Sequence, residues 1–164
     1  MELKTIFIVC IVIFTSVCIG VGDALRDWFQ AEDGHEYFIE TENNYEWHKA
    51  SAECKRRGLR LVEIESAAKN KALDTLLRSA FGNSLPSLWI GATDLEVITE
   101  KNRPFYWSTT GRRVKFADWS IHQPDNYKGN EHCLHLYAPY NLKWNDAPCT
   151  MKQGFICEER FISS

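Results

Sequence analysis

Two short clusters of oxygen-bearing side chains carry the chemistry of this sequence. Gln123-Pro124-Asp125-Asn126-Tyr127 is followed by Glu131, two residues before Cys133, and Trp144-Asn145-Asp146 stands three residues before Cys149. Gln123, Asp125, Glu131, Asn145 and Asp146 offer carboxylate and amide oxygens, the hard donors that suit calcium, which takes about 6–8 oxygens at roughly 2.3–2.6 Å. Three of the five are acidic, more charge than a divalent ion needs. Coordination positions left open would accept neutral oxygens such as hydroxyls. Asn, Asp and Pro also simply make turns, and either cluster alone reads that way. Their placement beside Cys133 and Cys149 changes the balance, because a disulfide joining those cysteines would hold both clusters together.

Other chemistries fit less well. His132 and His135 flank Cys133 but lie three apart in an expected strand, so they face opposite sides and make a poor zinc pair. Asp125 and Glu131 could be imagined as the carboxylate pair of a glycosidase. No activated nucleophile with its base accompanies them, and the chain reads as a binding protein rather than an enzyme.

The elements that must position these residues divide the chain in two. Asn44 is placed to cap a helix with Trp47, Ala50, Ser51 and Cys54 on its inward face, ended by Gly58. Leu59, Leu61 and Ile64 suggest a short extended stretch. Ser66 can cap a second helix that carries Leu73, Leu76, Leu77 and Ala80 on one face and stops at Gly82-Asn83. After Pro86 come short β-rich runs: Leu88–Gly91, Phe105–Trp107, Cys133–Leu136 and Gly154–Cys157. Helices first and strands later, with long polar connections, predict an α+β domain. From about Trp119 to His132 no helix or strand pattern appears, and long irregular loops in compact domains tend to be functional. Trp89, Trp107, Trp119 and Trp144 read as core, with Trp144 anchoring Asn145-Asp146 from beneath.

A chain of 164 residues with 45% hydrophobic and 25% charged residues suits one globular domain, and a net charge of -3 argues against a nucleic-acid partner. Lys4, the apolar run Ile6–Phe14 and the small residues Gly20, Gly22 and Ala24 have the order of a secretory signal peptide, with cleavage expected after Ala24. The apolar segment is short for a membrane span of about 20 residues. Residues 1–24 are therefore read as leader and 25–164 as one domain. Cys10 and Cys18 leave with the leader. Cys54, Cys133, Cys149 and Cys157 remain, an even count that reads as two disulfides in an exported protein, with three pairings open. No Cys-x-x-Cys pair suggests zinc instead. There is no Asn-x-Ser/Thr acceptor for N-glycosylation.

From about Gly34 to Glu158 the sequence resembles the C-type lectins, the calcium-dependent carbohydrate-recognition domains. Cys54, Trp89-Ile90-Gly91, Gln123-Pro124-Asp125, Glu131-x-Cys133, Trp144-Asn145-Asp146, Cys149 and Gly154-Phe155-Ile156-Cys157 carry the resemblance. Each is weak alone, and the ordered set is specific. The wording is most like short, single-domain, galactose-type secreted lectins of insects. The resemblance implies two helices flanking small antiparallel sheets, the pairings Cys54–Cys157 and Cys133–Cys149, and a cis peptide at Gln123-Pro124. It also implies that Gln123, Asp125, Glu131, Asn145 and Asp146 hold Ca2+ and, with Tyr127, meet the sugar. Relatives with Glu-Pro-Asn tend to choose mannose-like diols; here amide precedes acid, which implies galactose or N-acetylgalactosamine on cell-surface or microbial glycans. An innate-immune role and a lectin-like module with a protein partner are both compatible with the pattern. Asp94 and Asn126 fall where some relatives hold an auxiliary calcium, although Leu95 to Pro104 departs from the family pattern.

Overall fold

A computed structural model describes residues 27–95 and 103–159 of the chain; the proposed leader lies outside them. The order is β1 (Trp28–Gln30), β2 (Glu36–Tyr45), α1 (Trp47–Arg56), β3 (Leu59–Leu61), α2 (Ala67–Phe81), β4 (Leu88–Thr93), β5 (Tyr106–Trp107), β6 (Cys133–Tyr137), β7 (Lys143–Ala147) and β8 (Gln153–Glu159). The α+β class is as expected. The expectation of helices before strands is not, because β1 and β2 precede α1. Only the first half of β2 is buried, and its polar far end shifts register against β8 between Glu40 and Tyr45. The alternation that announces a strand is therefore missing from half of it.

The sheet runs β1-β2-β8-β4-β6-β7, with β3 added on β8 and β5 on β4. Early strand β2 pairs antiparallel with late strand β8, so the two ends of the domain meet in its middle. Their backbones pass so closely at Gly154 that an added Cβ would sit 2.2 Å from the Glu40 carbonyl oxygen. Successive residues alternate between two apolar layers. Ile39, Leu88, Ile90 and Ile156 face the layer that holds Leu73 and Leu77 of α2. Phe38, Trp89, Phe155 and Cys157 face the layer that holds Trp47, Ala50 and Cys54 of α1. Each large side chain buried in this way contributes about 1.5–3 kcal/mol.

Asn44 does not cap α1. The extended backbone continues to Tyr45, paired with Gln153, so the helix begins after Glu46, and Asn44 instead donates to Glu42 Oε2 at 2.8 Å. Ser66 does cap α2, its Oγ accepting from the Lys69 N–H at 3.2 Å, and Gly82 closes that helix at φ 54°. Leu73 and Leu77 are buried, Leu76 is half-buried and Ala80 is exposed, a narrower inward face than expected.

Among the described residues two disulfides form, Cys54–Cys157 across 103 residues and Cys133–Cys149 across 16. The chain-entropy effect of loops of those lengths is about 4–5 and 3 kcal/mol. The first ties α1 to β8. The second ties β6 to the turn after β7, beside the polar loop.

Candidate metal and ligand site

The site is assembled on β6 and β7. Antiparallel pairing sets Asp146 opposite Leu134 and Asn145 opposite His135, which brings Trp144-Asn145-Asp146 alongside the Cys133 strand. Trp144 is fully buried, and its indole N–H donates to Asn70 Oδ1 at 3.0 Å, so the strand beneath the site is fixed to α2. Trp89 and Trp107 are buried as expected, and Trp119 is half-buried against Trp144. The long loop leaves the sheet through a bridge between Trp119 and Trp144, and Ser120 N–H donates to the Trp144 carbonyl at 2.9 Å. It returns where His132 N–H donates to the Ala147 carbonyl at 3.1 Å.

Between those anchors the loop folds around a buried carboxylate. Asp125 N–H donates to Asp146 Oδ1 at 3.1 Å, and Asn126 N–H donates to Asp146 Oδ2 at 3.0 Å. Tyr127 N–H is shared between Asp125 Oδ1 at 3.2 Å and Glu131 Oε2 at 3.1 Å. Glu131 N–H closes the turn on Asn126 Oδ1 at 3.0 Å. Asn126 and Lys128 take left-handed φ values of 47° and 57°, letting the chain double back within so few residues. The Gln123-Pro124 peptide is cis, and Gln123 Oε1 accepts from Asp125 N–H at 3.2 Å.

Asp125, Glu131 and Asp146 each bring one carboxylate oxygen into a group whose members all lie within 4.8 Å of one another. Oxygens bound to one calcium at about 2.3–2.6 Å stand no farther apart than about 5 Å, so this spacing fits that ion. Asp146 is buried, Glu131 half-buried and Asp125 exposed, which leaves the group open on one side. Burial, reinforced by the negative charges of Asp146 and Asp125, pushes the Glu131 carboxyl up to about 7, against the pull of the Tyr127 N–H. Of the three carboxylates only Asp146 meets a cationic side chain, so the group carries excess negative charge that a cation could offset.

Asn145 is oriented by a relay. His135 is buried, which lowers its pKa to about 4 and keeps the ring neutral. Its Nδ1 meets Gln153 Oε1 at 2.8 Å, so that nitrogen carries the proton and Nε2 accepts. The Asn145 amide nitrogen lies 3.1 Å from Nε2 and also donates to the Asp146 carbonyl. With its nitrogen committed, Asn145 has its carbonyl oxygen as the end available to a cation. Tyr127 is exposed at the edge of the loop, with Lys128 Nζ 5.1 Å from its ring centre.

Sequence reasoning missed Arg103. Its guanidinium donates through Nε to Asp94 Oδ2 at 2.8 Å, through Nη2 to the Glu131 carbonyl at 2.6 Å, and through both Nη atoms to Asp146 Oδ2 at 3.2 Å. His132 Nδ1 meets the other Asp94 oxygen at 2.8 Å. Asp94, the residue considered for an auxiliary calcium, is thus engaged on both oxygens by side chains of the protein. The one signal in the sequence was the departure of Leu95 to Pro104 from the family pattern.

The model of the lectin C-type domain matches residues 43–159. Lectin subunit alpha of Sarcophaga peregrina is 45% identical over 93% of this chain, and the chain spans 52% of that relative's length. Salivary C-type lectin 2 of Aedes albopictus is 35% identical over 70% of this chain and 77% of its own. The mouse scavenger receptor C-type lectin carbohydrate-recognition domain superposes with a TM-score of 0.64 at 28% identity, covering 84% of this chain and 98% of that one. The chain belongs to the C-type lectin family, and its folded part is a C-type lectin carbohydrate-recognition domain. The two sequence relatives are insect lectins, members of a non-enzymatic family, so the glycosidase reading of Asp125 and Glu131 falls away. Among the described residues no helix is long and apolar enough to cross a membrane.

Proposed function

We propose that this protein is a secreted lectin that binds galactose or N-acetylgalactosamine through a calcium ion held by Gln123, Asp125, Glu131, Asn145 and Asp146. One observation carries the reading: three carboxylate oxygens gathered within 4.8 Å on an open loop. Calcium, when bound, supplies open coordination positions that neighbouring sugar hydroxyls fill. The protein's own groups then read the orientation of those hydroxyls. Amides donate to them and carboxylates accept from them. Because Gln123 precedes Asp125, donor and acceptor are reversed relative to the acid-before-amide order, which favours the galactose-type diol. Tyr127 offers an aromatic face to the apolar side of the ring. Residues 1–24 serve as the removable leader, and the mature domain acts outside the cell on surface or microbial glycans.

A glycan array probed with and without calcium tests this directly. Galactose-terminated glycans are expected to bind only with the metal, and free galactose should compete better than mannose. Equal competition by both sugars overturns the galactose assignment, and retention in excess chelator overturns the calcium assignment.

A further inference from the structure

We infer that Arg103 is a positioning residue that holds the metal loop in its liganding shape before any cation arrives. The inference rests on the calcium reading above and concerns this chain's own residues toward that ion. Arg103 ties three separate parts of the chain together: Asp94 after β4, the main chain of Glu131 at the end of the loop, and Asp146 on β7. Asp94 and Asp146 are fully buried, and the Arg103 side chain is only 21% exposed. A half-buried guanidinium with a fixed fork of donors sets the positions of its acceptors. Here the acceptors include a carboxylate of the metal group and the backbone of a second member.

Asp146 Oδ2 is the joint. It receives Arg103 from one side and the Asn126 N–H from the other, so the carboxylate about which the loop winds is fixed from beneath. Phe105 lies below, its ring centre 5.5 Å from the Arg103 guanidinium carbon, and Asp94 is held in turn by His132. Cys133–Cys149 already holds the Glu131 and Asp146 segments near each other, and Arg103 adds the segment after β4, which neither disulfide of the described residues reaches.

Two opposite effects on calcium follow from such a residue, and they separate experimentally. A bare positive charge beside the metal group repels a divalent ion, so its removal would tighten binding. A brace that pre-forms the group has the reverse effect, and partners of metal ligands typically contribute about 10–100-fold in metal affinity. The experiment measures calcium affinity by titration calorimetry on the secreted chain carrying R103M, R103K or D94N. In parallel, amide hydrogen exchange at Asp125 and Asn126 is followed in metal-free protein. R103M is expected to weaken calcium about 10–100-fold and to speed exchange at those two amides on the order of tenfold. R103K keeps the charge but loses the fork, and is expected to weaken calcium about tenfold. D94N, which frees the far end of Arg103, should also speed exchange at the loop amides.

Tighter calcium binding by R103M, or unchanged affinity in R103K, overturns the proposal. Should R103M fail to fold, R103K and D94N decide. Should the unaltered protein bind no calcium at all, the proposed function fails, and the metal-free exchange data judge the brace alone: unchanged exchange in R103K and D94N overturns it.

Discussion

Among the described residues, two part-buried ionic clusters have opposite characters. Near the Cys54–Cys157 bond, Glu158 accepts from Arg60 Nε at 3.1 Å, from the Glu63 N–H at 2.9 Å and from Lys69. Glu63 meets Arg60 at 3.3 Å and Arg112 at 3.4 Å, and Arg112 also reaches Glu65 at 2.9 Å. Three carboxylates there meet three cations. Below the long loop lie the carboxylates of Asp94, Asp125, Glu131 and Asp146; the Arg103 guanidinium meets those of Asp94 and Asp146, and the His132 imidazole meets that of Asp94. The first cluster has as many cations as carboxylates and cross-links β3, α2 and β8, with Arg112 and Glu65 at its solvent edge. The second is short of cations and open to solvent. Charge matched within the protein cross-links its elements, whereas the unmatched carboxylates of the loop are the feature on which the proposed calcium site rests.

The contrast is broken most sharply by removing one carboxylate from each cluster. D146N should abolish measurable calcium binding by calorimetry, because it neutralises the acid around which the loop is wound. E158Q should leave calcium affinity unchanged yet lower stability to urea by about 3–5 kcal/mol, since it strands buried cations. Loss of calcium binding in E158Q would mean that the clusters are not independent.

Acid offers a second, smaller test. Burial raises the Glu131 carboxyl to about 7, so on the proposed function protons are expected to compete with calcium through neutral pH. Calcium affinity should fall about tenfold for each pH unit below 7, and E131Q should flatten that slope as its affinity drops. The sign for folding is the reverse. A raised carboxyl makes the metal-free protein less stable as pH climbs from the ordinary carboxylate range through about 7, and saturating calcium should remove that loss. Denaturant melts at pH 5 and 7.5, with and without calcium, check both statements. The smallest effect is expected at the rim: Y127A should weaken galactose several-fold, as loss of about 0.5–1.5 kcal/mol of aromatic contact would, with calcium affinity unaltered in the same calorimetric assay.

Local signals made much of this legible beforehand. Ser66 and Gly82 bound α2 because capping chemistry is confined to a few adjacent residues. Oxygen donors in ordered clusters pointed to a hard cation, and three of the five, Asp125, Glu131 and Asp146, do converge. Other features were invisible for physical reasons. The polar half of β2 is strand only because β8 pairs with it, a contact between opposite ends of the domain. Asn44 carries good capping chemistry but is held in that strand, and nothing near it in sequence says so.

The residues around the metal group divide along the same line. The sequence by itself determined which donor atoms are available and, through the order of Gln123 and Asp125, carries the proposal of a galactose-type diol. Only the tertiary structure decided that Asp146 would be the buried centre of the loop, that His135 would stay neutral and turn the Asn145 amide, and that Arg103 would lie under both Asp146 and Glu131. Donor chemistry belongs to single side chains and can be read one residue at a time. Charge balance and burial depend on which distant segments end up within a few ångströms of each other.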